Sequence, residues 1–203
     1  MPKTAAKPII AVDVDEVLAV NAAGFVEYSN KRWGTDLKVE DYHEHWAELW
    51  QSDEEETERR AIEYHYSGVH RNLEPIDKAR EVLTKLAKDY RLIVLTSRRV
   101  IIEQDTRDWL DANFPGIFHS VKFAGIFDKF ANDRMNLTKA DQLKRLEADY
   151  FIDDQPRHCL AAAEAGITAL LFGDYKWNRN LELPSAVTWV KNWQEVVEFF
   201  EKE

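Results

Sequence analysis

The sequence predicts an α/β fold: a parallel sheet covered by helices on both faces, with a small helical insertion after the first strand. Three observations carry this. Short, continuously apolar runs alternate with stretches of helical periodicity, the pattern of strands buried on both faces. The alternation breaks between about Asn21 and Asn72, where no strand-like run occurs. A chain of 203 residues has room for one core domain carrying such an insertion. The expected division is 1–20 and 73–203 for the core and 21–72 for the insertion.

Taken in order, the strand-like runs are Ile9–Val12, Leu92–Leu95, a weaker Val121–Ala124, Tyr150–Ile152 and Ala169–Phe172. Between them, Ile76, Ala79, Leu83 and Leu86 mark a helix over Ile76–Lys88, and further helices are expected over Val100–Leu110 and Lys139–Leu146. Pro156 suits the first turn of a helix reaching Ala165, and a last helix over Trp193–Phe200 should pack on the sheet. The insertion carries Phe25, Tyr28, Trp33, Trp46, Trp50, Tyr64 and Tyr66 among many charges. The acid run from Asp53 to Glu56 and Glu58 reads as a solvated helix start.

Composition narrows the partners. With 27 basic and 37 acidic residues the net charge is -10, which argues against a nucleic acid polymer or an anionic membrane. A small phosphorylated metabolite needs only a local positive site. The single cysteine, Cys159, allows no internal disulfide and is expected to be a small buried apolar residue. The apolar N-terminal run is interrupted by Asp13, Asp15 and Glu16, unlike a signal peptide, so the expected location is cytoplasmic. A homodimer stays open.

In an open parallel sheet, ligands bind beyond the carboxyl ends of the strands. Asp13 and Asp15 follow the first run; Thr96, Ser97 and Arg98 follow the second; Asp153 and Asp154 follow Ile152. Three strand ends thus bring carboxylates and hydroxyls to one place. Carboxylates this close need a compensating cation or a shared proton, and Mg2+ suits a site with few carboxylates and a substrate phosphate. A carboxylate nucleophile can then attack phosphorus, while Asp15 protonates the leaving oxygen and later activates water. Thr96 and the Ser97 N–H would bind phosphate oxygens. Lys139 is the candidate to hold the transferring group; Lys144 is its rival, five residues on in mid-helix.

IIAVDVDEVL, VLTSR, the lysine of TKADQL and YFIDDQP resemble, in order, the four motifs of the haloacid dehalogenase superfamily. The resemblance spans about Ile9 to Phe172 and implies a Rossmann-like core with a helical cap. It implies that Asp13 is the nucleophile and Asp15 the acid/base. Asp13, the Asp15 carbonyl and Asp153 would ligate Mg2+, with Asp154 supporting them. The presence of Asp15 resembles the phosphatases of the superfamily. The stretches LEPIDKAREVLTKLAKDYRLIVLTSR and LLFGDYKWNR are similar to the 5′(3′)-deoxyribonucleotidase-like group, which implies a nucleoside or deoxynucleoside monophosphate as substrate. Glu16 stands where glycine is common in that group, and Arg98 where proline is frequent.

Other readings stay open at this point: a sugar-phosphate phosphatase, a phosphomutase, or a catalytically silent module with the same fold. Trp33, Trp46, Trp50, Tyr64 and Tyr66 could stack a nucleobase, but each is expected chiefly to pack the insertion's own core. His43, His45, His65 and His70 are expected at the surface or at helix caps, since their spacing does not match a paired ligand site. Trp177 and Asn178 either close over the site or anchor a loop. Asp154 could also cap the helix near Pro156.

Overall fold

Ile9–Val12, four apolar residues in a row, form strand β1 near the middle of a six-stranded sheet. The computed structural model describes residues 6–124 and 138–203; the first five residues of the expected core and its 125–137 stretch lie outside the described residues. The other strands are β2 (Arg91–Thr96), β3 (Ser120–Phe123), β4 (Tyr150–Asp153), β5 (Thr168–Phe172) and β6 (Val187–Val190). Every pairing is parallel, in the order β3-β2-β1-β4-β5-β6. The expected α/β Rossmann-like architecture is therefore present.

The runs are continuously apolar because both faces are covered. On one face Ile10, Val12, Leu92, Val94, Ile152, Leu170 and Phe172 pack against three helices: α4 (Ala79–Leu86), α5 (Glu103–Asn113) and α8 (Trp193–Phe200). The alternate residues Ala11, Leu95, Phe151, Ala169 and Leu171 face α6 (Lys139–Arg145) and α7 (Pro156–Glu164). Thr138 and Asp141 form a capping box that starts α6, and Pro156 opens α7 as expected. Among the described residues no helix is long and apolar enough to cross a membrane.

Two helix starts differ from the sequence reading. The helix expected from Ile76 begins at Ala79, because Ile76 N–H donates to Leu18 O at 2.7 Å and Ala19 bridges Pro75, holding that stretch extended. The helix expected from Val100 opens as a single 3₁₀ turn, Val100–Ile102, before α5. Strand β6 was not anticipated; it is a four-residue edge strand with two half-buried positions, too short to stand out from its surroundings.

Between β1 and α4 the regular elements are all helical: α1 (Asn21–Trp33), α2 (Trp46–Trp50) and α3 (Glu54–Tyr66), with 3₁₀ turns at Val39–Asp41 and Val69–Arg71. Asp53 caps α3 by accepting from Glu56 N–H, and Glu56 pairs with Arg59 and Arg60, so the acid run is indeed a solvated helix start at these positions. The segment has its own core. Phe25 is fully buried, with ring centroids 4.8–5.4 Å from Tyr42, Trp46, Trp50 and Tyr64. Trp50 and Tyr64 are core residues, as expected, whereas Tyr66 is 71% exposed. Ion pairs tie the segment to the sheet side: Glu58 to Arg99, Arg71 to Asp105, Glu44 to Arg157 and Asp41 to Lys176.

Phe25→Ala removes the ring at the centre of that cluster. It should lower unfolding stability by about 3–5 kcal/mol in a urea titration, as for other buried aromatics. A loss below about 1 kcal/mol would show that this cluster adds little to the fold.

Candidate active site

Asp13 is placed by the ladder. Its N–H donates to Ile152 O at 2.9 Å, continuing β1 beside β4, and the chain then turns, with Leu18 and Ala19 N–H both donating to Val14 O. Inside the turn Glu16 adopts a left-handed conformation, φ 58°. This is why glycine is common there: an L-residue pays steric strain at positive φ. Glu16 is held by its own carboxylate, which accepts from Ala22 N–H at 2.6 Å in the first turn of α1, and by Tyr175, whose hydroxyl donates to Glu16 O at 2.7 Å. Burial, then Asp15, pushes Glu16 up to about 8. Behind the turn, the fully buried Trp193 donates its indole N–H to Val17 O at 3.0 Å.

Lys139 sits in the first turn of α6 with its side chain only 1% exposed, and its ammonium lies 2.9 Å from Asp13 Oδ2 and 2.6 Å from Asp153 Oδ2. Burial alone would lower its pKa; Asp13 and Asp153 more than reverse that and raise it. Lys144 is exposed. Asp153, at the end of β4, also accepts from Gln155 N–H at 2.8 Å and faces His158 Nδ1 at 3.3 Å. Burial works against its charge, but Lys139 and His158 hold the carboxyl well below its ordinary value. His158, on the first turn of α7, escaped the sequence reading. Its only signal was the five-residue step from Asp153 across a turn and a helix start.

Asp154 is buried and accepts from Trp177 Nε1 at 2.9 Å and Gln155 Nε2 at 2.8 Å. Burial, then Asp153 and Asp13, lifts its pKa well above the usual range. Asn178 donates to Phe172 O at 2.8 Å, so the loop carrying Trp177 and Asn178 is both anchored and turned toward the site. Asp13, Asp153 and Asp154 bring carboxylate oxygens within 4.8 Å of one another. Asp13 Oδ1 is buried with no hydrogen-bond partner among the described residues. Burial, together with Asp153 and Asp15, pushes Asp13 up to about 7 against the pull of Lys139. Three buried carboxylates, one ammonium and an orphaned oxygen suit a hard cation such as Mg2+.

From β2, Thr96 is fully buried and its Oγ1 accepts from Arg98 N–H at 3.1 Å. Ser97 Oγ is buried and lacks a partner among the described residues. Arg98, which also lines the cavity, is paired with Asp15: Nη2 lies 2.7 Å and Nε 3.1 Å from Oδ1, and Nη1 donates to Thr106 at 3.2 Å. Asp13, Asp15, Asp154, Ser97 and Arg98 thus line a cavity of about 660 Å3 together with Tyr42, Trp46, His65 and His70 from the helical segment. His65 and His70 are buried, not at the surface as the sequence suggested, because they pack under Tyr64 and Trp46; His45 is exposed and His43 half-buried.

The family model described as 5′ nucleotidase, deoxy (pyrimidine), cytosolic type C protein (NT5C) matches residues 7–202. The chain belongs to this family. It is a nucleotidase-like phosphoric monoester hydrolase with the haloacid dehalogenase fold. A protein of Halalkalibacterium halodurans named as a candidate nucleotidase is 24% identical over 185 residues, 91% of this chain and 88% of that one. Among solved structures, a haloacid dehalogenase-like hydrolase from Streptococcus pneumoniae superposes with TM-score 0.70 at 15% identity, covering 97% of this chain and 100% of that one. A phosphatase assigned by prediction, from Clostridium acetobutylicum, gives 0.71 at 16%, covering 98% and 100%. These two likenesses concern the fold.

The raised pKa of Asp13 has a stability consequence. Between its unfolded value near 4 and its folded value near 7, the folded protein holds a proton that the unfolded chain has lost. Stability therefore falls as pH rises through that window. In metal-free protein Asp13→Asn should raise stability at pH 8 by a few kcal/mol, roughly, and by nothing measurable at pH 4. Thermal melts of both proteins in EDTA at the two pH values check this; equal shifts at both would show that the charge of Asp13 is not the cause.

Proposed function

We propose that the chain hydrolyses nucleoside or deoxynucleoside monophosphates through an aspartyl-phosphate on Asp13. The observation that carries this is the environment of Asp13. Lys139 fixes one carboxylate oxygen, while the other is buried without a hydrogen-bond partner among the described residues, and Asp13 lines the cavity with Ser97 and Asp154. On this reading, core residues 1–20 and 73–203 supply the chemistry and residues 21–72 cap the substrate.

Asp13 attacks phosphorus, forming the Asp13 O–P bond as the bond to the leaving oxygen breaks. Asp15 gives that oxygen its proton. Asp15 then takes a proton from the water that attacks phosphorus, which cleaves the acyl phosphate and restores Asp13. Arg98 orients Asp15 through its planar fork, and Thr106 steadies Arg98 from behind. Ser97 Oγ and Thr96 would donate to phosphate oxygens, and Lys139 would offset the charge growing on the transferring group. Mg2+ held by Asp13, Asp153 and the Asp15 carbonyl, with Asp154 in support, would neutralise the substrate phosphate and the carboxylates around it.

The monophosphate assignment rests on the family and on the cavity, which has room for a nucleotide and presents the aromatic faces of Tyr42 and Trp46. A reducing, cytoplasmic setting suits the single buried Cys159.

Phosphate release from deoxynucleoside, ribonucleoside and sugar monophosphates, with Mg2+ and with EDTA, tests this. Nucleotides should lead the panel, EDTA should silence the reaction, and Asp13→Asn should abolish it. Asp15→Asn should lower kcat by about 10²–10⁴, the usual effect of losing an acid/base. A sugar phosphate turned over faster than every nucleotide would sink the substrate assignment.

Arg98→Lys keeps the charge but loses the fork. It should reduce kcat by about tenfold with KM little changed, as expected when an orienting contact to an acid/base is lost. A rise in KM alone would place Arg98 at the substrate instead.

A further inference from the structure

His65 and His70 are polar groups of the cavity that the proposed chemistry leaves unused. His65 lies in the last turn of α3, and His70 in the 3₁₀ turn beyond it. Gly68, at φ 77°, reverses the chain between them, so the two rings come to 5.3 Å between centroids although four residues separate them. Both side chains are more than nine-tenths buried and both line the cavity. In each, Nδ1 is sealed from solvent without a hydrogen-bond partner among the described residues.

Their surroundings fix what they can bind. Tyr64 stands edge-on to His70 at 4.8 Å, and Trp46 lies 5.6 Å from His65, so the rings are held rather than free to turn outward. Burial, reinforced by Arg99 and Arg98, pushes His65 down to about 3, and burial with Arg98 takes His70 well below its ordinary value. Both imidazoles are therefore neutral at physiological pH. A neutral imidazole offers one N–H and one lone pair, which matches a hydroxyl and not a second phosphate. The same Arg98 grips Asp15, the residue facing the leaving oxygen in the proposed reaction. Both histidines line the same cavity as Asp15, so a substrate whose leaving oxygen meets Asp15 carries its next atoms, the pentose in a nucleoside monophosphate, into the space that the pair borders.

We propose that His65 and His70 form a hydroxyl-reading subsite that selects substrates carrying a pentose on the leaving oxygen. This rests on the phosphatase reading of Asp13 and Asp15. It assigns selection for the sugar to the pair, independently of any base contact.

The test uses the full chain with Mg2+ and four substrates: a deoxynucleoside monophosphate, a ribonucleoside monophosphate, ribose 5-phosphate and phenyl phosphate, which has no hydroxyl. His65→Phe and His70→Phe keep ring volume and remove the hydrogen-bonding atoms. The expected result is that the preference in kcat/KM for pentose esters over phenyl phosphate collapses by about tenfold or more, carried in KM. His70→Gln, which still donates and accepts, should recover part of that preference. A preference unchanged in both Phe variants overturns the proposal, as does an equal loss on all four substrates, which marks a merely structural role. Should a Phe variant fail to fold, His65→Leu and His70→Leu, which also lack hydrogen-bonding atoms, carry the same comparison. Wild-type protein that favours ribose 5-phosphate over both nucleotides would sink the nucleotide assignment while leaving the subsite standing. Wild-type protein that favours no pentose ester over phenyl phosphate would sink the subsite and leave the phosphatase intact.

Discussion

The site depends on one ammonium group. Lys139 lies between Asp13 and Asp153 in a setting that nearly excludes water, and its charge is what lets carboxylates from β1 and β4 end side by side. Breaking a buried pair by removing one member typically costs several kcal/mol, because the partner charge is stranded. Here two partners would be stranded, with Asp154 adjacent. Three carboxylates against one ammonium leave the arrangement two positive charges short even with Lys139 in place. Burial, together with that shortfall, keeps Asp13 and Asp154 reluctant to ionise, and this is the physical reason a divalent cation belongs there.

The convergence of carboxylates and hydroxyls was legible in the sequence because these residues sit where short strands end. Asp13, Thr96 and Asp153 each follow an apolar run, and a parallel sheet brings such positions together whatever the strand order. Lys139 could be chosen over Lys144 because the first turn of a helix faces the strand ends, while a mid-helix position turns away. What could not be read came from turns and from contacts distant in sequence. The Arg98 fork on Asp15 spans 83 residues, and Trp177 reaches Asp154 from a loop. His65 and His70 were misjudged because helical spacing was the wrong ruler for two residues joined through a left-handed glycine. Strand β6 was missed because an edge strand of four residues leaves little apolar pattern.

The helical segment solves a separate problem. It cannot borrow the sheet's core, so it builds one from aromatic rings around Phe25, and those rings leave little room for charged contacts inside. Its attachment to the sheet side combines ion pairs through Glu58, Arg71, Glu44 and Asp41 with apolar contacts: Val69 packs against the sheet's core, and Trp177 packs against the segment's. Ion pairs at partly exposed positions contribute little each and are screened by salt, which leaves the apolar contacts to hold the segment in place.

Trp193 braces the turn after Asp13 across 176 residues of chain. Synthesis delivers Asp13 long before this brace. Until α8 has emerged, the turn bearing Glu16 in its left-handed conformation lacks its support from behind, and until α6 and β4 have emerged Asp13 lacks Lys139 and Asp153. The first strand can pair with β2 during synthesis, but the site is complete only once these distant parts of the chain have joined it. Fragments that stop short of α8 would then lack the support of that turn.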